Sequence, residues 1–397
     1  MTIARMSYRA VFGVGEFRVL FALHALFVVG DAVRMLGLSV LVYEETGSAL
    51  VSALAYGAGM LPYVVGGAFL LSLADRVPPR PLLVGFHVLR AGVTALPALG
   101  LPPAAAIAVT AAAGLFAPVA TAAVTAVLPD LLPGDGYVLG RSVFTMTAAG
   151  AQIGGHAVGG LLLLAVGPEG ALWLAAGSSL LAAAGARAGV RRRPPRKAAD
   201  GASVRETWRV NRLLLADRGT RGLLLAQWLP ISLAVGSEGV VIPYTAHLGR
   251  PDAAGAVLAS FAAGMLAGNL VVGRARDRER LAPPLAAAMG LPLLGFAARP
   301  GVAAACVLAA LAAFGLSYEL GLQRRFLDAV PQDVRGQALG LANIGVITGQ
   351  AACVAAAGAL GEVLPPGMVM ALFGAASTAA AAVLVRAPRQ TAAGRFG

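Results

Sequence analysis

The sequence is short of almost everything a water-soluble surface needs. Only 13% of its 397 residues are charged, against about one quarter in a typical soluble domain, so the chain cannot cover itself with charge in water. Lysine is nearly missing: of 31 basic residues, only Lys197 is a lysine. A phosphate-cradling glycine loop with its lysine is therefore not available, which excludes ATP as an energy source. The two cysteines, Cys306 and Cys353, both fall inside apolar runs. They read as buried core residues, neither a disulfide framework nor a metal site. No His, Cys and carboxylate cluster has metal-ligand spacing, and no Ser-His-Asp set stands out. The expectation is thus no catalytic residue, no metal and no cofactor. Aromatic residues, at 6%, are too few for base-stacking platforms. The arginines behind the net charge of +12 sit in alternate loops, not along one basic face, so nucleic acid is not expected as a partner. A signal peptide is not expected, since the first apolar run begins after Arg18 and is too long for one.

What remains is apolar. Hydrophobic residues make up 58% of the chain and the mean hydropathy is +0.77. Runs of about 20 apolar residues, each enough to cross a hydrocarbon layer of about 30 Å, recur from end to end. Glycine, proline and charge divide them at 19–43, 48–71, 81–99, 103–127, 138–166, 169–189, 220–247, 253–273, 281–298, 301–322, 337–361 and 366–386. The predicted fold class is an all-α polytopic membrane protein of about twelve transmembrane helices. Arginines precede the first run and fill every second loop, "RRRPPRK" at Arg191–Lys197 being the densest cluster. The loops "YEETGS", "LGLPP", "GPEG" and "GEVLPPG" hold no basic residue, and only Arg250 and Arg299 fall on their side. By the positive-inside rule both termini are cytoplasmic, in a plasma or inner membrane.

One long polar stretch, 191–218, separates 1–190 from 219–397. Its continuation "SVRETWRVNRLLLADR" reads as a helix on the inner leaflet, attracted to anionic lipid. The two flanking parts read as six-helix bundles that repeat one another. Leu73 of "LSLADR" and Leu270 of "GNLVVGRARDR" lie 197 residues apart, and Pro133 of "PGD" and Pro331 of "PQD" lie 198 apart. Two loop pairs sharing one offset imply parallel repeats, with a substrate site near the midplane between them.

Four segments in order carry a family resemblance. They are "FRVLFALHALFVVGDAVRMLGLSVLVYEETGSALVSAL", "LADRVPPRPLL", "LPDLLPGDGYVLGRS" with "QIGGHAVGGLL", and "VPQDVRGQALGL". Together they resemble the major facilitator superfamily over essentially the whole chain, in particular its drug–proton antiporter branch, which includes the enterobactin exporter. In that family the loop after the second helix ties the two halves together on the cytoplasmic side, which implies a gating role for Asp75, Arg76 and Arg80. Leu71, Pro78 and Pro79 depart from the family's pattern there, as does Gly155-His156 where the antiporters have glycine followed by proline. The glycines Gly154, Gly155, Gly159 and Gly160 remain, and permit close helix approach.

The residues themselves single out Asp31 and Arg34, three apart on one helical face at mid-span. A charge at that depth costs about 2.5–3.5 kcal/mol on insertion scales, and such residues line ion or substrate pathways. They read as a proton-coupling pair or as a structural ion pair, with Arg90 of the third span as a further partner. His24, two turns before Asp31, is a proton relay or a plain interhelical hydrogen-bond donor; His87 and His156 are weaker relays. Glu238, between Gly236 and Gly239, is an acid in the first span of the second half, as Asp31 is in the first, and reads as a second proton-coupling candidate in a cavity or as a hydrated carboxyl near the outer leaflet. Glu319 reads as a salt-bridge partner of Arg324 and Arg325. Gln152, Gln227, Asn269, Asn343 and Gln350 line a polar cavity or link helices, and Trp228 and Tyr244 touch an apolar substrate or anchor at the interface. The function expected is proton-coupled efflux of small apolar or amphipathic organic molecules, acting as a monomer. Uptake or uniport is the alternative within the class; an integral-membrane enzyme or a receptor lies outside it.

Overall fold

Hydrocarbon offers a backbone no water, so every N–H and C=O that crosses it must bond inside a helix or a closed barrel. The computed structural model of the chain describes residues 8–70, 72–133, 135–195, 204–275, 277–331 and 334–384, and among these there is helix and no strand. The side chains of Asp75, Gln152 and Arg324 lie outside the described set.

In chain order the long helices are α1 (Gly15–Thr46), α2 (Ala49–Phe69), α3 (Pro79–Ala98) and α4 (Pro103–Leu131). Asp135–Gly189 runs on as one helical stretch that breaks at Gly167, φ 70° and ψ 178°, just before Pro168. Its arms are α5 (135–166) and α6 (168–189). Then come α7 (Val204–Ala216), α8 (Arg218–His247), α9 (Pro251–Arg274), α10 (Arg278–Ala298) and α11 (Val302–Ala329). The last two are α12 (Arg335–Gly361) and α13 (Pro366–Leu384). Eleven candidate spans qualify by length and composition among the described residues. Counting the two arms about Gly167 separately gives the twelve passes read from the sequence. The breaks obey local chemistry. Gly47 ends α1 in the left-handed region with its N–H on the Tyr43 carbonyl, and Pro103 starts α4 where a missing N–H costs nothing.

The chain divides into two compact units, Met1–Gly47 with Ala55–Ala199, and Ser48–Leu54 with Asp200–Gly397. Within the first, α1 packs closely on α5: a Cβ on Gly155 would stand 2.7 Å from the Ala32 Cβ, and one on Gly159 3.0 Å from the Leu36 Cδ1. Gly154 faces open space and Gly160 is buried. The charged start of the linker belongs to the same unit, since the buried Glu16 carboxylate accepts from the Arg191 N–H at 3.0 Å and from Arg193 Nη2 at 2.9 Å. Within the second unit, Glu362 Oε1 accepts from the Leu50 N–H at 2.8 Å and the Ser48 hydroxyl at 2.7 Å. Those two bonds, the backbone one first, hold the Glu362 carboxyl below its ordinary range. Cys306 and Cys353 are free thiols, each half-buried and so less enclosed than the core position expected of them.

The repeat is visible inside each unit. A Cβ on Gly66 of α2 would overlap the Leu115 carbonyl of α4, and one on Gly264 of α9 would overlap the Ala310 carbonyl of α11. The two glycines lie 198 residues apart, as Pro133 and Pro331 do and one more than Leu73 and Leu270. Each is the point where two helix backbones touch, so no rotamer change can make room. Gly66→Val or Gly264→Val should therefore cost more than the roughly 1–3 kcal/mol of ordinary overpacking. The monodisperse yield on size exclusion should collapse for both. Gly85→Ala and Gly273→Ala, where nothing stands within 4 Å, should keep wild-type yield.

Helix α7 turns Val210 and Leu214 into a cluster with Leu224, Phe326 and Ala338. Trp208, 71% exposed, and Leu213 point away from it, beside the exposed Arg209 and Arg212. Such an apolar face flanked by arginines suits a helix lying on lipid. With Trp173 and Trp228 changed to Phe, the remaining Trp208 should be quenched by brominated lipid in anionic vesicles; quenching no stronger than for aqueous tryptophan would place this face in water.

Candidate functional site

Asp31 stands at the middle of α1, and α1 is apolar on every side around it. Its carboxylate meets two guanidiniums. Arg34, one turn on, donates from Nη2 at 2.9 Å and from Nε at 3.1 Å, both to Oδ1. Arg90, from α3, brings its Nη2 to 3.3 Å from the same oxygen. Oδ2 has no hydrogen-bond or ionic partner among the described residues. The arginines are nearly enclosed, with side chains 9% and 8% exposed, whereas Asp31 is 35% exposed and forms the open side of the cluster.

Small residues make the room. Gly30 keeps a Cβ out of the space where Arg90 Nη2 and the Ser178 hydroxyl sit, and Gly59 lies beside Arg34 Nη2. Arg90 also lies over the Phe27 ring at 4.4 Å, an attraction of about 0.5–2 kcal/mol. Even so, the arginines are not saturated: Arg34 Nη1 and Arg90 Nε are buried without a hydrogen-bond partner. One carboxylate against two guanidiniums leaves the cluster with one excess positive charge.

The remaining sequence candidates spread out. His24 is half-buried against the Phe144 ring at 4.9 Å, and its Nε2 has no hydrogen-bond partner. It lies about 10 Å along α1 from Asp31, by the 1.5 Å rise per residue. His87 and His156 are buried. Glu238 is half-buried in a one-turn 3-10 segment, Ser237–Val240, that interrupts α8; there Gly236 abuts Phe373 and Cys353, and Gly239 abuts Val354. Arg76 is exposed and Arg80 half-buried, while the Asp75 and Gln152 side chains fall outside the described residues. Gln227, Asn269 and Gln350 are half-buried, Gln227 with its Nε2 unpartnered, and Asn343 is exposed. Trp228 lies on Gly345 and donates its indole N–H to the Ala342 carbonyl at 2.9 Å. Tyr244 donates to the Pro300 carbonyl at 2.6 Å. These two aromatics are occupied with packing. The salt bridge expected for Glu319 is not formed with Arg325, whose Nε lies 3.5 Å from Glu279 at the start of α10 instead.

The sequence profile of the Major Facilitator Superfamily matches residues 20–245, more than half of the chain. The chain belongs to the Major Facilitator Superfamily. Superfamily members are transporters, and this one is a transporter and not an enzyme. No curated protein sequence matches the chain. Among solved structures it is similar to the inward-open xylose transporter XylE from E. coli, with a TM-score of 0.69 at 16% identity over 96% of this chain and 98% of that one. It is also similar to a D-xylose-proton symporter, with a TM-score of 0.67 at 16% identity over 94% and 97%. A third is a bacterial homologue of the human lysosomal transporter Spinster, TM-score 0.64 at 14% identity over 93% and 94%. Likeness at such identities is likeness of fold.

The charge count of this facilitator's cluster sets an order of stability. Asp31→Asn leaves two guanidiniums facing each other without an anion, whereas Arg90→Gln leaves a balanced Asp31–Arg34 pair. Removing one partner of a buried pair costs about 3–5 kcal/mol, less here because Asp31 is partly exposed. Thermal unfolding in detergent should show Asp31→Asn clearly destabilised and Arg90→Gln close to wild type. The reverse order would mean that the excess charge is neutralised elsewhere.

Proposed function

We propose that the chain is a proton-coupled secondary transporter of small amphipathic organic molecules, with Asp31 as the coupling residue, acting as a monomer in a plasma or inner membrane with both termini cytoplasmic. The observation that carries this is the geometry of the carboxylate: mid-helix, partly open, one oxygen clasped by Arg34 and Arg90 and the other without a partner. A charge at that depth is costly, and a proton on the open oxygen removes it. Downhill movement of one proton yields about 2.3 kcal/mol per 100 mV, plus any pH difference. Export is the direction supported by the four motifs that resemble the drug–proton antiporters. A second reading, uptake, is supported by the excess guanidinium, because a site with net positive charge binds a proton and an anion together more readily than it trades one for the other.

The test is flux in proteoliposomes under an imposed pH gradient. Asp31→Asn, which imitates the protonated acid, should abolish uphill movement while exchange of labelled for unlabelled substrate persists. Uphill flux that survives in Asp31→Asn at normal folded yield would remove Asp31 from the coupling role and leave Glu238 as the candidate. The direction of the gradient that drives accumulation separates export from uptake in the same experiment.

A further inference from the structure

We infer that the substrate carries an anionic group, a carboxylate or its equivalent, and that this group takes over the arginines as Asp31 takes up a proton. The inference rests on the reading of Asp31 as the coupling residue and adds the chemical class of what is carried.

Three observations support it. The first is stoichiometry: around Asp31 the charged groups are Arg34 and Arg90, two cations to one anion, while the imidazoles that flank them from α3 and α5, His87 and His156, add no negative charge. His24, on α1 itself, adds none either. The second is unused donor capacity, since Arg34 Nη1 and Arg90 Nε lie buried without an acceptor. Unmade hydrogen bonds on enclosed charged donors are costly, and a planar carboxylate offers the two acceptor oxygens that guanidiniums bind best. The third is the lopsided engagement of Asp31. Both arginines converge on Oδ1, leaving Oδ2 on the exposed side to receive a proton.

Asp31 thus stands as an internal stand-in for the substrate's own anion. A proton arriving from water bonds to Oδ2, the carboxyl becomes neutral, and its hold on the guanidiniums weakens. The incoming carboxylate then accepts from the freed N–H groups. The site carries one excess positive charge when empty and again when it holds both proton and anion. With only the proton it carries two, and with only the anion none. Each ligand therefore favours the other, and by linkage the effect is reciprocal. A neutral or cationic molecule of the same shape gains nothing from this exchange of partners.

The experiment compares 1-naphthoate with 1-naphthamide, equal in shape and different in charge, on the purified full chain in neutral detergent. Isothermal titration calorimetry in two buffers of different ionisation enthalpy reads affinity and proton uptake together. Naphthoate should bind at least about 10-fold more tightly than the amide, within the range of coupling free energies known for linked ligands, and take up protons as it binds. Asp31→Asn should bind naphthoate at least as tightly with no proton uptake. Arg34→Gln and Arg90→Gln should lose most of the preference for the carboxylate, and Arg90→Lys should keep part of it. Equal affinity for the two probes, failure of naphthoate to bind at millimolar concentration, or an undiminished preference in both Gln variants would overturn the inference. No gradient is involved, so a carboxylate preference without pH-driven flux would sink the coupling proposal and leave the anion site standing. Flux without the preference would do the opposite.

Discussion

Three formal charges held mid-helix within the first unit constrain what packs around them. At an effective dielectric of about 20, opposite charges 4 Å apart attract by about 4 kcal/mol, roughly the insertion cost of one of them. Asp31 can therefore compensate one arginine and part of a second, and only if both reach the same carboxylate. That requirement brings α3 against α1 at one depth. It explains why Phe27 presents its ring face to Arg90; beside it, a Cβ on Gly30 would press on the Ser178 hydroxyl at 2.7 Å. The close approach of α5 through Gly155 and Gly159 encloses the same section of α1 from another side.

How much of this the sequence discloses depends on the range of each interaction. Span boundaries were legible because proline, glycine and loop charges act within a few residues; the split at Gly167-Pro168 is an example, where positive φ and a missing N–H fall together. The repeat was legible because two loop pairs share an offset that the backbone contacts at Gly66 and Gly264 then share as well. Asp31 and Arg34 were legible as a pair because three residues of helix make them neighbours, and Arg90 as a partner because few other charges lie at that depth.

The rest depended on which way each helix faces. A helix that is apolar all round gives no moment from which to read its buried side. Trp228 and Asn343 therefore looked equally able to line a cavity, until one was found lying on Gly345 and the other exposed. Glu319 and Arg325 looked like partners because they are close in sequence, yet six residues of helix, about 600° of rotation, place them about 120° apart around its axis. Arg325 meets Glu279 of another helix instead. Which oxygen of Asp31 is occupied is a matter of tenths of an ångström, and no spacing rule encodes it.

The sign of the cluster bears on the direction of transport more directly than motif resemblance does. A carrier couples two species when the states with both or with neither cross more readily than those with one. With Asp31 ionised and the site empty, the excess is one positive charge. A proton added to Asp31 must then be matched by one negative charge on whatever enters, or the excess doubles. Exchange of a proton against a cation would call for the opposite surplus, an acid with too few arginines around it. On the proposed coupling through Asp31, the second arginine is the deciding residue: Arg34 alone would neutralise Asp31 and leave the site indifferent to the charge of its cargo, whereas Arg90 would make it favour an anion.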